Sequence, residues 1–157
     1  MKNERRKKLI SKLTFEFRNA IEQAIENGEN ILYNKFPKGC CGFACDLLAQ
    51  YFIDNKIEPI IYENRTYFTN DYSQAHTWLI VDALVIDITA DQFKDSCLPL
   101  KNDCPAYIGP KNEFYQLFNS KCGSYHLHFG IEQSWSNYNE LCEWYKIILK
   151  YIQLITT

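Results

Sequence analysis

The stretch Gly39-Cys40-Cys41-Gly42-Phe43-Ala44-Cys45-Asp46-Leu47-Leu48 sets two adjacent thiols between glycines, at the head of an apolar run. Ala44, Leu47, Leu48, Tyr51 and Phe52 recur at helical spacing. The run therefore reads as a helix that starts near Cys41, ends at Asn55 and is buried against a sheet. Only a thiolate attacks a carbonyl carbon, and a free cysteine titrates near about 8.5. A helix N-terminus favours the anion, and a neighbouring imidazole takes the proton. Cys40 lies in the turn itself and Cys45 one turn into the helix, where it reads as core. Cys41, at the helix start, is the preferred nucleophile over Cys40.

Working outward, Gln74 to Val81 and Leu84 to Thr89 read as two Val-, Ile- and Leu-rich strands joined by a tight turn at Asp82-Ala83. His76 and Asp87 lie eleven residues apart across this hairpin, which brings them together on one face. A thiol needs a base, and the base needs an acid to fix its tautomer and orientation. Cys41, His76 and Asp87 supply those three groups in chain order. Asp82 and Asp91 are the rival acids. Asp82 reads as solvated at the turn, whereas Asp91, with Gln92, is placed to line the site. Trp78 reads as core, shielding His76 from water.

Before this region, Asn3 to Asn27 reads as one amphipathic helix with Leu9, Leu13, Phe17, Ile21 and Ala24 on its apolar face. Ile57 to Tyr62 reads as a strand, and Glu63 to Ser73 as a polar loop whose Tyr67 and Phe68 wall the substrate cleft. Beyond the hairpin come a strand at Pro105 to Ile108 and a short helix within Lys111 to Asn119. Tyr125, Leu127 and Phe129 alternate with His126 and His128, which predicts a strand carrying both histidines on one solvated face. A last helix runs from Asn137 to Ile152, with Tyr138, Leu141, Cys142, Tyr145, Ile148, Leu149 and Ile152 as its stripe. The order predicts a single α+β domain over residues 1–157.

Composition bounds the function. The chain has 157 residues, 46% of them hydrophobic and 15% aromatic, with a formal net charge of -2. That balance fits a packed globular domain and implies no polyanion partner such as nucleic acid. No apolar run approaches membrane-spanning length. The basic start, Lys2 to Lys8, is not followed by the apolar stretch of a signal peptide. With seven cysteines, an odd number, reduced thiols and a cytoplasmic setting are expected. Zinc is the rival use of those thiols. The nearest ligand spacings, Cys41 to Cys45 and Cys122 to His126, lack the close pairs typical of structural sites.

These segments resemble the papain-like and transglutaminase-like cysteine enzyme superfamily over roughly residues 36 to 93. His76-x-Trp78 and Asp87-x-Thr89 resemble the His-x-Trp and Asp-Pro-Thr segments of transglutaminase-like proteins, with Ile88 in place of the proline. Gly39-Cys40-Cys41 is similar to the Gly-x-Cys helix start of arylamine N-acetyltransferases. Lys35, with Asn34 beside it, stands where papain-type peptidases carry a glutamine. The resemblance implies a buried helix carrying Cys41 packed on an antiparallel sheet carrying His76 and Asp87. It also implies a cofactor-free hydrolase or acyl transferase (peptidase, amidase or glutamine deamidase) that forms a thioester with a protein, peptide or small amide substrate. The alternative is an inactive binding module of the same fold, or a cysteine-based redox or zinc site.

Overall fold

The computed structural model describes residues 1–157 and contains four α-helices and a five-stranded antiparallel sheet. In chain order the elements are α1 (Lys2–Glu26), α2 (Cys41–Asp54), β1 (Ile61–Phe68), β2 (Ser73–Val81), β3 (Leu84–Asp87), β4 (Tyr107–Gly109), α3 (Glu113–Gln116), β5 (Ser124–Leu127) and α4 (Tyr138–Thr156). The sheet order is β4-β3-β2-β1-β5. No helix is long and apolar enough to cross a membrane.

The α+β expectation holds, and the hairpin that decides it forms as expected. Asp82 and Ala83 take φ values of 52° and 63°, the left-handed pair of a two-residue turn whose twist matches the flanking strands. Pairing runs from Val81–Leu84 to Leu79–Ile86. Beyond that point β3 has no partner on β2, so the start of β2, with His76, is left open along one edge. Helix α2 lies on β2, and α1 and α4 pack on one another and on α2. This helical layer shares its core with Leu79, Val81, Ile86 and Ile88 on one sheet face. Trp78, Val85, Phe93, Leu100, Tyr115 and Phe118 form a second, smaller core on the other face.

Several local expectations are corrected. The strand placed at Ile57 to Tyr62 begins at Ile61 and continues to Phe68, through most of the presumed loop, pairing from Ile61–Ile80 to Phe68–Ser73. Ile57 and Ile60 are buried ahead of the strand. Glu63 and Arg65 looked like loop residues because their face is covered by polar contacts; Glu63 is buried and bonded by Lys111 at 2.7 Å. The apolar face of α1 starts at Ile10 instead of Leu9, which is 40% exposed. Arg18, on that same face, is buried. The stripe of α4 is Leu141, Trp144, Ile148, Tyr151 and Ile152; Tyr138, Cys142, Tyr145 and Leu149 are only partly covered.

Candidate active site

Cys41 is the first residue of α2, with Cys40 as the N-cap residue. Gly39 takes φ +68°, a turn that a residue with a Cβ rarely makes, and this brings the chain onto the helix. The first intrahelical bond runs from the Ala44 N–H to the Cys40 carbonyl at 2.8 Å. The N–H groups of Cys41, Gly42 and Phe43 precede it and are free, by helix geometry, to face a ligand.

His76 is fully buried and Asp87 nearly so. The imidazole Nε2 lies 2.6 Å from Asp87 Oδ2. The carboxylate is held from three further directions. The Thr89 N–H donates to Oδ1 at 2.8 Å, the Thr89 hydroxyl donates to Oδ1 at 3.2 Å, and the Tyr115 hydroxyl donates to Oδ2 at 2.9 Å. The rings of Trp78, Phe93, Phe114 and Phe118 surround the imidazole at centroid distances of 5.0 to 6.1 Å. With Nε2 committed to Asp87, Nδ1 is the nitrogen left for the Cys41 thiol, and each of the two groups shifts the titration of the other. The Gln92 amide also reaches Nδ1, at 3.0 Å.

Electrostatics follow from this geometry. Burial by itself penalises the imidazolium, but the charge and hydrogen bond of Asp87, helped by Cys41, outweigh it and raise His76 to about 9. Burial likewise penalises the Cys41 thiolate, and the Asp87 charge opposes it. The hydrogen bond and charge of His76, with a hydrogen bond from Thr77, nevertheless bring the thiol below its ordinary value. Burial also penalises the Asp87 carboxylate, yet His76 and the Thr89 and Tyr115 donors hold it below the usual range. The other two thiols nearby go the opposite way. Burial, reinforced by the Cys41 charge, pushes Cys40 up to about 12, and its Sγ turns to the Lys38 carbonyl at 3.2 Å. Cys45 is buried core and rises well above the ordinary thiol value by desolvation.

The structure therefore brings together the three residues singled out from sequence and separates Cys41 from Cys40. It also reassigns several others. Asp91 does not line the site; both its oxygens accept from the Arg18 guanidinium, at 2.8 and 2.7 Å. Its neighbour Gln92 does reach the site. Asp82 is exposed at the turn, as expected, and bonded there by Arg6 at 2.6 Å. Tyr67 packs near Phe118 and Tyr72, and Phe68 is exposed, so neither walls the cleft beside Cys41. Gly39, Gly42, Phe43, Asp46, Tyr62, Asn64 and Thr77 line that cleft with Cys41. Asn34 bonds to Asn30 and, like Lys35, is exposed away from it. His126 and His128 do face one way, both against Tyr62, but only His126 is solvated; His128 lies past the end of β5, buried and bonded to Asp46.

Sequence reasoning missed Thr77, Asn64 and Tyr115. Asn64 Nδ2 donates to Thr77 Oγ1 at 2.7 Å, which leaves the Thr77 hydroxyl proton for its neighbours Cys41 and Tyr62. Thr77 was legible as the neighbour of His76, but Asn64 came from a segment read as loop, and Tyr115 lies 28 residues from Asp87. All seven cysteines are unpaired, and no group of three His, Cys, Asp or Glu side chains is gathered for a metal. No family model, curated protein or solved structure matches the chain.

Proposed function

We propose that this protein is a cysteine-dependent hydrolase or acyl transferase of the papain-like or transglutaminase-like kind, working through a thioester on Cys41. The observation that carries the reading is the thiol at the head of α2, lowered by an imidazole that Asp87 grips at 2.6 Å in a buried pocket. Chain order, a helix-borne thiol and strand-borne His76 and Asp87 add support.

In this reading the Cys41 thiolate attacks the carbonyl carbon of an amide or acyl substrate, opening the C=O bond to an oxyanion. Protonated His76 gives its Nδ1 proton to the leaving amine as the C–N bond breaks, and an acyl thioester remains. Water or a second amine then attacks the thioester while His76 takes its proton, and the thiolate leaves. Asp87 keeps the imidazole oriented throughout. The Cys41 backbone N–H is the first oxyanion donor. Asn64, the one side-chain amide lining the cleft, has a second amide proton to offer beyond the one given to Thr77. The aromatic wall around His76 keeps water from competing for its proton.

The test is acylation by p-nitrophenyl acetate, followed by peptide mass spectrometry. An acetyl group on Cys41, formed with a burst of nitrophenol and absent from Cys41→Ala and His76→Ala, is the expected result. Acetylation spread evenly over exposed cysteines and lysines, indifferent to His76, would remove the reading.

A further inference from the structure

We propose that the cleft beside Cys41 is a subsite for an organic cation, an ammonium or guanidinium group brought by one of the reactants. The proposal rests on the acyl-transfer reading for what the cation accompanies, but its charge preference stands on its own geometry. Asp46 and Tyr62 line both the cleft over Cys41 and the adjoining one enclosed by His126, His128 and Trp135. Asp46 is five residues beyond Cys41 on α2, about 7.5 Å along the helix axis. It is the only carboxylate in either cleft.

The Asp46 charge is oriented but not cancelled. The Gly130 N–H donates to His128 Nδ1 at 2.9 Å, so that nitrogen presents a lone pair. The ring's one proton is then on Nε2, which donates to Asp46 Oδ1 at 2.9 Å. A neutral donor thus fixes the carboxylate, and Oδ2 accepts no hydrogen bond from the protein while the side chain stays 18% exposed. Around it stand electron-rich rings. Tyr62 stacks on His126 at 5.1 Å, and Trp135 sits edge-on to His128 at 5.9 Å. A carboxylate with a spare acceptor beside aromatic faces favours a cation by ion pairing and by cation–π attraction. It repels an anion, and a neutral apolar group would strip water from Oδ2 without replacing its hydrogen bond.

The test compares three alkylating reagents with one warhead: N-(4-aminobutyl)iodoacetamide, N-pentyliodoacetamide and N-(4-carboxybutyl)iodoacetamide. Each forms an S–C bond at Cys41 and releases iodide, and the rate is read by peptide mass spectrometry. The cationic reagent is expected to react about fivefold to tenfold faster than the neutral one, and the anionic one more slowly. Asp46→Asn is expected to bring the cationic-to-neutral ratio close to one, and raising salt is expected to lower it in the unaltered protein. A ratio near one in the unaltered protein, or one unmoved by Asp46→Asn, overturns the proposal. Dividing by the neutral rate removes any general change in thiol reactivity. The neutral rate and its dependence on His76 test the acyl-transfer reading separately, so the two fail independently.

The source of the cation is read from acetylated Cys41. Release of the acetyl group to cadaverine that saturates and depends on Asp46 assigns the subsite to an amine acceptor. Release linear in cadaverine and indifferent to Asp46, beside an intact reagent preference, assigns it to a basic side chain of the acyl donor.

Discussion

At the scale of the residue, the site depends on the immobility of Asp87. A carboxylate that accepts from Thr89, Tyr115 and His76 cannot rotate, so it dictates which imidazole nitrogen faces the thiol. Asp87→Asn keeps the shape but replaces an acceptor by a group that also donates, and it favours the wrong tautomer. The expected outcome is a loss of at least about 100-fold in Cys41 acylation rate with little change in the fold, checked by stopped-flow nitrophenol release beside circular dichroism. Tyr115→Phe removes one of four hydrogen bonds and should cost far less. The sequence carried Cys41, His76 and Asp87 because each sits on a strongly patterned element. It did not carry Tyr115, Asn64 or the Asp46–His128 pair, whose partners are set by packing between distant segments.

At the scale of the element, the segment after β3 matters most. It bears Gln92, and it is fastened from below by α1. Arg18 reaches across the helix layer to the Ile88 carbonyl at 2.6 Å, the Pro105 carbonyl at 2.8 Å and both Asp91 oxygens. A helical-periodicity reading can see only the i,i+4 pair of Arg18 with Glu22, since its other partners lie 70 to 87 residues away. Arg18→Ala leaves a carboxylate and two carbonyls without a donor. A stability loss of about 3–5 kcal/mol is expected from urea unfolding, and Arg18→Lys should recover only part of it because an ammonium cannot reproduce the fork. The same limit explains the misplaced β1. Its second half has polar residues on both faces, so alternation gave no signal, and the strand became visible only through its pairing with β2.

At the scale of the whole molecule, the sheet separates two unequal cores, and the proposed site lies where the pairing of β2 with β3 stops. The α+β class was legible because α1, α2, α4 and the β2–β3 hairpin all have clear periods. The small second core was not, because Phe93, Leu100, Tyr115 and Phe118 come to Trp78 and Val85 from short helical turns and loops that carry no hydrophobic period. Burying His76 and Asp87 there ties global stability to pH. The folded state holds the His76 proton up to about 9, against an ordinary value of about 6.5. Its stabilising contribution is therefore complete below pH 6.5 and fades as pH rises through 9. Asp87, held low, contributes above its ordinary range and loses its contribution on acidification. In a Cys41→Ala background, which removes both the opposing titration of the thiol and its share of the His76 shift, urea unfolding should still show stability falling as pH rises above about 6.5, because Asp87 keeps the imidazolium favoured. Adding His76→Gln should flatten that fall.

The claim on which everything rests is that Cys41 and His76 form a thiolate–imidazolium pair. The rate of iodoacetamide alkylation at each of the seven cysteines, followed against pH by peptide mass spectrometry, tests it most directly. Cys41 alone should react rapidly near pH 6, on a plateau that extends toward His76's value of about 9, and His76→Ala should return it to the steep rise of an ordinary thiol. Cys41 that reacts no faster than exposed Cys97 and Cys122, with a profile untouched by His76→Ala, would contradict the pair and the chemistry built on it.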